Sequence, residues 1–397
     1  MLGKSLFKPP KLQSGRDHMQ ERHATWLELL YDLIFAAAIS QLAIGLGARY
    51  NLRGFLDFAV LFIPVWWAWV GQTFYLTRFD TDDTGHRLLT MAQIIAVAFL
   101  AVNIPGALSI TTIGFALSYA AVRFILVFEY IRAALYIPSV RPLINRYIAG
   151  FGTAATLWAV STLVPTPYRF GLWIIAVVVD FMAPLTAGRL HAELPPHLAH
   201  LPERFGQFTI IVIGEAILSV VIGIEVSGLK ISSGVAGILG LLIAFTLWWG
   251  YFEGVKGAET RVLQSMQDVV RYQEWLYSHL PLVMAIASVA VGISHIIPLG
   301  FQEILPVQQA LILSFSLGVS MLALSTLFLS AYPSHAGTSI HRLAIPHYII
   351  AFLTIGIGAL GAFLAGIIIL AILTFLGILQ VAYSIRVIKA TTGYRQE

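Results

Sequence analysis

The chain has 397 residues, of which 58% are hydrophobic and only 11% are charged, and its formal net charge is +4. A soluble domain carries about 25% charged residues, so this composition favours a bundle of membrane helices over a soluble globular domain. The small positive charge is spread over the predicted loops and does not indicate nucleic-acid binding, and the lack of cysteine excludes disulfides and thiolate metal sites.

Long apolar stretches follow one another along the whole chain, and each is long enough to cross a bilayer as a helix of about 20 residues. The clusters of charge, proline and glycine between them are typical of loops. We therefore predict an all-α polytopic membrane protein with about twelve transmembrane helices. The predicted spans are 27–48, 55–78, 86–105, 108–136, 143–164, 168–188, 203–227, 232–254, 277–299, 303–331, 343–364 and 366–387.

The distribution of basic residues predicts the orientation of these helices. With the N-terminus in the cytoplasm, nineteen of the 24 Lys and Arg residues fall in cytoplasmic segments and four in outer segments. Cytoplasmic loops of membrane proteins carry such an excess of positive charge. We therefore expect a multi-pass protein of the plasma (inner) membrane with both termini in the cytoplasm.

Short stretches of the first half of the chain recur in the second half. WWAW at 66–69 matches WWGY at 248–251, and RPLINRYIAG at 141–150 matches RLAIPHYIIA at 342–351. Three residues recur with identical spacing, His86, Met91 and Pro105 in the first half and His279, Met284 and Pro298 in the second. An even number of helices per half makes the duplication parallel rather than inverted. The predicted segments are 1–26 as a cytoplasmic N-terminal segment, 27–190 as a first six-helix repeat, 191–202 as a cytoplasmic linker, 203–388 as a second six-helix repeat and 389–397 as a cytoplasmic tail.

Several charged residues fall inside the predicted spans, where a charge is costly and usually faces protein or water. The candidates for an ion path or a buried polar network are Asp32, Glu215, Glu28, Arg123, Glu129, Asp180 and Glu253. Glu28 and Asp32 are four residues apart and share one helical face. The duplication relates Asp32 to Glu215, and Arg123 offers a counter-charge. These groups line an ion or proton path, or they fix helix packing, while Glu28 and Glu253 have a further alternative, which is to reach the interface by snorkelling.

His86 and His279 begin equivalent predicted helices near the cytoplasmic surface. Imidazole changes its charge near neutral pH, so both residues are candidates for pH sensing, and interfacial hydrogen bonding is the alternative. The sequence contains no G-x-x-x-x-G-K-[ST], H-E-x-x-H or G-x-S-x-G pattern. We therefore expect no enzymatic activity, no cofactor and no metal site.

Two separated motifs resemble the bacterial low temperature requirement protein A family. The first is E28-L-L-Y-D32-L-I-F35 in the first helix, and the second is ERFGQFTIIVIGEAIL at 203–218. The likeness extends over about residues 22–388. It implies a polytopic membrane protein and little about activity, because the family's name describes a growth phenotype.

A more distant resemblance is to lysosomal and bacterial potassium channels that carry a Phe-Ser-Asp motif in the first helix. YDLIFAAAISQLAI, with Asp32, and WVGQTFYLTRF at 69–79 carry this likeness, although Tyr31 replaces the serine and the second half has Gly214-Glu215. In those channels the first helix of each repeat lines the pore, and apolar side chains after the motif form a constriction. The resemblance thus implies the lining candidates Ile34, Ala37, Ala38, Gln41, Ile217, Val220 and Val221.

We expect a cation channel for potassium or protons, with the first and seventh helices lining the path and a homodimer completing it. The alternative is a proton-coupled secondary transporter of a small solute, in which buried carboxylates bind the coupling proton. A membrane enzyme or a lipid-handling protein is a third class, for which the sequence shows no catalytic set. The expected partners are the lipid bilayer and a small cation or small solute.

Overall fold

The protein is almost entirely helical. The structure is a computed structural model that describes residues 8–13, 24–80, 83–188, 190, 194, 200–255, 266–331 and 338–393. Within these residues, twelve α-helices of 18 to 31 residues follow one another. They are α1 (Trp26–Ala48), α2 (Leu52–Leu76), α3 (Thr84–Asn103), α4 (Thr112–Tyr136), α5 (Arg141–Ser161), α6 (Tyr168–Leu185), α7 (His200–Val226), α8 (Ile231–Val255), α9 (Met266–Ile296), α10 (Val307–Ala331), α11 (Thr338–Ile357) and α12 (Gly366–Gly393). The predicted all-α polytopic class is confirmed.

Eleven helices of the described residues are long and apolar enough to cross a membrane. The remaining helix, α5, has 21 residues but carries Arg141, Asn145 and Arg146 in its first two turns. It packs against both α4 and α6, so it belongs to the same bundle as its neighbours. The prediction of about twelve helices therefore agrees with the structure, although α5 is less apolar than the other eleven.

The chain divides into two compact units. Among the described residues, the first unit takes those in 1–42, 60–205 and 262–269, and the second takes those in 43–59, 206–261 and 270–397. In the first unit, α4 packs against α3 and α5, and α5 packs against α6. In the second unit, α10 and α12 each pack against α8 and α11. The proposed duplication into repeats at 27–190 and 203–388 stays a prediction.

A short antiparallel pairing holds the N-terminal segment to the first unit. Strand β1 (Lys11–Leu12) pairs with strand β2 (Phe79–Asp80), and the backbone N–H of Gln13 donates to the Arg78 carbonyl at 2.9 Å. Leu12 packs against the apolar core of the first unit. Hydropathy did not predict this pairing, because two-residue strands carry no periodic signal.

Aromatic side chains fill that core near the ends of α2 and α4. Tyr130 makes edge-on contacts with Tyr75 and Tyr147 at centroid distances of 5.3 and 5.4 Å, and all three rings are buried. Aromatic pairs prefer edge-to-face or offset arrangements at such distances. The cluster joins α2, α4 and α5.

The other end of the first unit is closed by Arg169, which lies in the first turn of α6. Its guanidinium donates to the carbonyl oxygens of Ser161 and Val164 at 3.0 and 3.1 Å and to the hydroxyl of Thr112. A cation at the carbonyl end of a helix satisfies orphan acceptors and complements the helix dipole. Arg169 therefore fixes the connection between α5 and α6.

Candidate functional site

Asp32 is buried in the first unit, with 1% of the residue exposed. Its Oδ1 accepts hydrogen bonds from Trp69 Nε1 at 2.8 Å and from Arg204 Nη2 at 2.7 Å. Its Oδ2 accepts none from the residues that the structure describes. Arg204, in the first turns of α7, is therefore the counter-charge of Asp32, whereas the sequence had offered Arg123.

Arg123 pairs instead with Asp180, and both side chains are fully buried. The Nη2 and Nε atoms of Arg123 lie 2.7 and 2.8 Å from Asp180 Oδ2, and the Tyr119 hydroxyl donates to the same oxygen at 2.9 Å. The Arg123 guanidinium also lies 5.2 Å from the centroid of the Phe151 ring. The structure thus brings two of the predicted residues together as one ion pair that joins α4 to α6.

Glu28 forms a capping box at the start of α1. Its Oε2 accepts from the Thr25 backbone N–H at 3.0 Å, and its own N–H donates to Thr25 Oγ1 at 3.2 Å. This reciprocal pattern satisfies two otherwise unpaired donors at a helix start. His200 Nε2 lies 3.4 Å from the same carboxylate oxygen, and Glu28 is buried. Snorkelling is therefore the wrong interpretation of Glu28, because its carboxylate is held inside the protein.

His86 lies beside Glu129, a residue of α4. The distance from His86 Nδ1 to Glu129 Oε1 is 3.3 Å, and the two side chains are 7% and 0% exposed. Neither carboxylate oxygen of Glu129 accepts a hydrogen bond from the described part of the chain. The pair combines a buried imidazole with a buried carboxylate that lacks the donors found around Asp32 and Asp180.

Asp83 positions His86 by capping α3. Its Oδ1 accepts from the His86 backbone N–H at 2.7 Å, and its Oδ2 lies 2.6 Å from the backbone nitrogen of Lys8 and 2.5 Å from Arg132 Nη2. Burial alone would raise the pKa of Asp83, but the two backbone donors and the Arg132 guanidinium lower it below its ordinary value. The N-terminal segment, α3 and α4 therefore meet at one ionised carboxylate.

A chain of neutral polar groups lies in the same unit. The Tyr31 hydroxyl donates to Gln93 Oε1 at 3.1 Å, and Gln93 Nε2 donates to Gln72 Oε1 at 2.7 Å. Gln93, Thr90 and His86 are spaced three and four residues apart, and all three are buried on one face of α3. This spacing is the signal in the sequence that indicates a polar face of α3 turned toward protein.

The predicted polar residues of the second unit differ in burial and in their hydrogen bonds. His279 is fully buried, with Nδ1 2.8 Å from the Trp275 carbonyl and Nε2 3.1 Å from the Tyr251 hydroxyl. The carbonyl accepts only, so Nδ1 carries a proton and donates to it. Glu215 and Glu253 are partly exposed. Both ring nitrogens of His279 therefore have hydrogen-bonding partners inside the protein.

The lining candidates on α1 divide between two faces. Ala37 is exposed, Ile34 and Gln41 are partly exposed, and Ala38 is fully buried. Because a helix turns by about 100° per residue, Ile34, Ala37 and Gln41 share a face that lies about 180° from Asp32. The Gln41 amide makes no hydrogen bond to any described residue.

The candidates on α7 divide in the same way. Ile217 and Val221 are exposed, whereas Val220 is buried. A Cβ added at Gly240 of α8 would lie only 3.2 Å from Val220 Cγ2, so Val220 packs closely on the α8 backbone. Ile217 and Val221 lie four residues apart and form an exposed apolar face of α7.

A small cavity lies within the second unit, among α8, α10, α11 and α12. Its polar lining includes Ser325, His347, Gln380 and Ser384, and His347 Nε2 lies 3.0 Å from Ser384 Oγ. The lining carries no carboxylate, lysine or arginine. No group of three or more His, Asp or Glu side chains suited to a metal ion occurs among the described residues.

Comparison with known proteins covers most of the chain. The family model of the bacterial low temperature requirement A protein matches residues 23–382. An uncharacterized protein of Rhizobium meliloti (strain 1021) is 28% identical over 297 residues, which are 70% of this chain and 70% of the relative. The matched range includes both sequence motifs and all the acid–base pairs of the first unit.

Proposed function

The chain belongs to the bacterial low temperature requirement A family of membrane proteins, and we propose that it conducts a small cation, potassium or a proton. The path runs along the exposed face of α1 that carries Ile34, Ala37 and Gln41. A second copy of the chain completes the path, and the exposed face of α7 with Ile217 and Val221 is the second lining surface. The protein is not proposed to catalyse a reaction.

The observation that supports this proposal is Gln41. Its amide lies on an exposed face of a membrane helix without a hydrogen-bonding partner among the described residues. A polar amide placed in hydrocarbon without hydrogen bonds costs several kcal/mol, so membrane helices rarely present one to lipid. This face is therefore directed toward water or a second protein surface, as a path requires.

The other side of α1 supports the same assignment. The bonds of Asp32 to Trp69 and Arg204 fix the rotation of α1 about its axis. With that rotation fixed, the small Ala37 and the larger Ile34 stay on the opposite face. A small side chain leaves room for an ion, and an apolar side chain nearby supplies a constriction.

Cation flux into proteoliposomes tests the proposal. We expect potassium or proton flux under an imposed potential, a strong reduction in Ala37→Phe, and an altered flux in Gln41→Leu. Ala121→Phe is the matched control, because Ala121 is an exposed alanine on α4, outside the proposed path. Absence of both potassium and proton flux in the wild type would refute the channel, and equal flux in the two Phe variants would exclude this face of α1.

A proton-coupled secondary transporter is the second candidate, and the cavity of the second unit is the observation that favours it. The lining combines a few uncharged polar groups with apolar side chains and carries no formal charge, so a solute bound there would be uncharged. Flux that saturates with a solute and requires a proton gradient would support the transporter. Passive flux that follows the imposed potential alone would support the channel.

A further inference from the structure

The buried carboxylates of the first unit have two kinds of basic partner. Among the described residues, three pair with arginine and two with histidine, namely Asp32–Arg204, Asp83–Arg132, Asp180–Arg123, Glu28–His200 and Glu129–His86. Arginine keeps its charge at every physiological pH, so in its pairs only the carboxylate can exchange a proton. Imidazole changes its charge near neutral pH, so in the histidine pairs both partners can exchange a proton.

The two histidine pairs differ in the hydrogen bonds and contacts that protein groups make to their carboxylates. Glu28 accepts a backbone hydrogen bond from Thr25, and His200 also contacts Glu203 at 3.4 Å. Glu129 is fully buried, and its oxygens accept no hydrogen bond from the described residues. An ionised carboxylate buried in this way is strongly unfavourable unless a cation or a proton neutralises it.

We propose that Glu129 and His86 together bind one exchangeable proton within the first unit. With the proton on Glu129, both groups are neutral, and with the proton on His86, the two charges cancel across 3.3 Å. Loss of the proton leaves a bare buried carboxylate beside a neutral ring. The pair therefore holds its proton until hydration or an arriving cation replaces it.

The surroundings of the pair are almost balanced in charge. The charged groups on the elements around the pair include Asp32 on α1, Asp83 at the start of α3, Arg123 and Arg132 on α4 and Arg204 on α7. Asp32 and Arg204 neutralise each other, and Asp180 neutralises Arg123. Asp83 likewise neutralises Arg132, and Arg78 Nε donates to the Leu194 carbonyl at 3.2 Å.

The fold gives the pair an access side and a link to the interior. His86 is in the first turn of α3, and 7% of its side chain is exposed, so a proton can arrive at the imidazole from the end of the unit where Asp83 lies. Gln93 lies two turns further along the same face of α3 and bonds to Tyr31 and Gln72. The pair lies inside the first unit and not on the exposed face of α1, so this inference goes beyond the proposed path.

Infrared difference spectroscopy of the purified full-length protein between two pH values tests the site. We expect the C=O stretch of a buried protonated carboxylic acid in the wild type and its loss in Glu129→Gln. Glu225→Gln is the matched control, because Glu225 is exposed at the end of α7 and should leave that band intact. A wild-type band that survives unchanged in Glu129→Gln would overturn the proposal.

A second variant keeps Glu129 in place and does not depend on the folding of Glu129→Gln. In His86→Ala we expect the band to shift and to lose its pH dependence, because the ring that shares the proton is removed. A band that is unshifted and equally pH-dependent in His86→Ala would overturn the proposal that the two residues share a proton.

Measurements of cation flux in proteoliposomes, combined with the infrared band, test the proton site and the proposed conduction independently. A wild-type protein with the band but without cation flux would leave the proton site standing and refute conduction. Proton flux in a wild type that shows neither the carboxylic-acid band nor an imidazolium band would refute the site and leave conduction standing.

Discussion

The ion pair between Asp32 and Arg204 gives the most direct test of how the first unit is held together. Both side chains are at most 1% exposed, and the N–O distance is 2.7 Å. Removing one partner of a buried pair leaves an uncompensated charge and typically costs about 3–5 kcal/mol. Arg204→Met should therefore destabilise the protein by this amount, because the Trp69 indole remains as the donor recorded for Asp32.

A double-mutant cycle separates the pair from its surroundings. Asp32→Asn keeps an acceptor for Trp69 but leaves the guanidinium buried, so it should cost a similar amount. The double variant removes both charges and should cost less than the sum of the singles, by about 2–3 kcal/mol, at the upper end of measured couplings.

The free energy of unfolding in mixed micelles, followed by tryptophan fluorescence, measures this coupling. Asp57→Asn is the matched control, because Asp57 pairs with Arg53 at 3.3 Å in an exposed i,i+4 salt bridge. Such exposed salt bridges contribute about 0.2–1 kcal/mol to the free energy of unfolding. A coupling near zero between Asp32 and Arg204, or one equal to that of the exposed pair, would refute the assignment of Arg204 as the counter-charge.

Three further changes test particular contacts. Thr25→Ala removes the capping hydroxyl of α1 and should cost about 0.5–2 kcal/mol, measured by thermal unfolding. Gly71→Ala should cost about 1–3 kcal/mol because a methyl group would collide with the Arg123 guanidinium, whereas Gly152→Ala, with open space around it, should be neutral or stabilising. The pKa of Asp83 is lowered in the folded protein, so its carboxylate stabilises the fold fully above the ordinary pKa of about 3.9, and this stabilisation is lost as the pH falls through the folded-state pKa. Protease cleavage of the N-terminal segment should therefore increase as the pH falls through that value. Asp83→Asn should show the same cleavage already at neutral pH.

The helical fold was predictable because hydrocarbon imposes a length and a composition on each span. Eleven helices of the described residues satisfy both requirements, and their order along the chain agrees with the predicted spans. The α5 helix is less apolar, since Arg141 and Arg146 lie at the end of the bundle where charge is tolerated. The pairing of Lys11–Leu12 with Phe79–Asp80 was beyond sequence reasoning, because two residues show no period.

The pairing of the charges was predictable only in part. The sequence marked Arg123 and Asp180 as costly charges inside spans, and the structure joins them. It did not mark Arg204 as the partner of Asp32, because an arginine at the predicted start of a helix is read as an interfacial residue. A buried carboxylate indicates that a cationic side chain lies near it. Which cationic side chain this is depends on packing between helices that are far apart in the sequence.

The two faces of α1 explain why its sequence supported two interpretations of Asp32. A residue inside a span is costly wherever it points, so composition alone does not separate an anchoring carboxylate from one on an ion path. Asp32 and Gln41 are nine residues apart, which places them about 180° apart around the helix. A path that passes Gln41 therefore does not pass Asp32. Asp32 controls such a path indirectly, by fixing the rotation of α1 through Trp69 and Arg204.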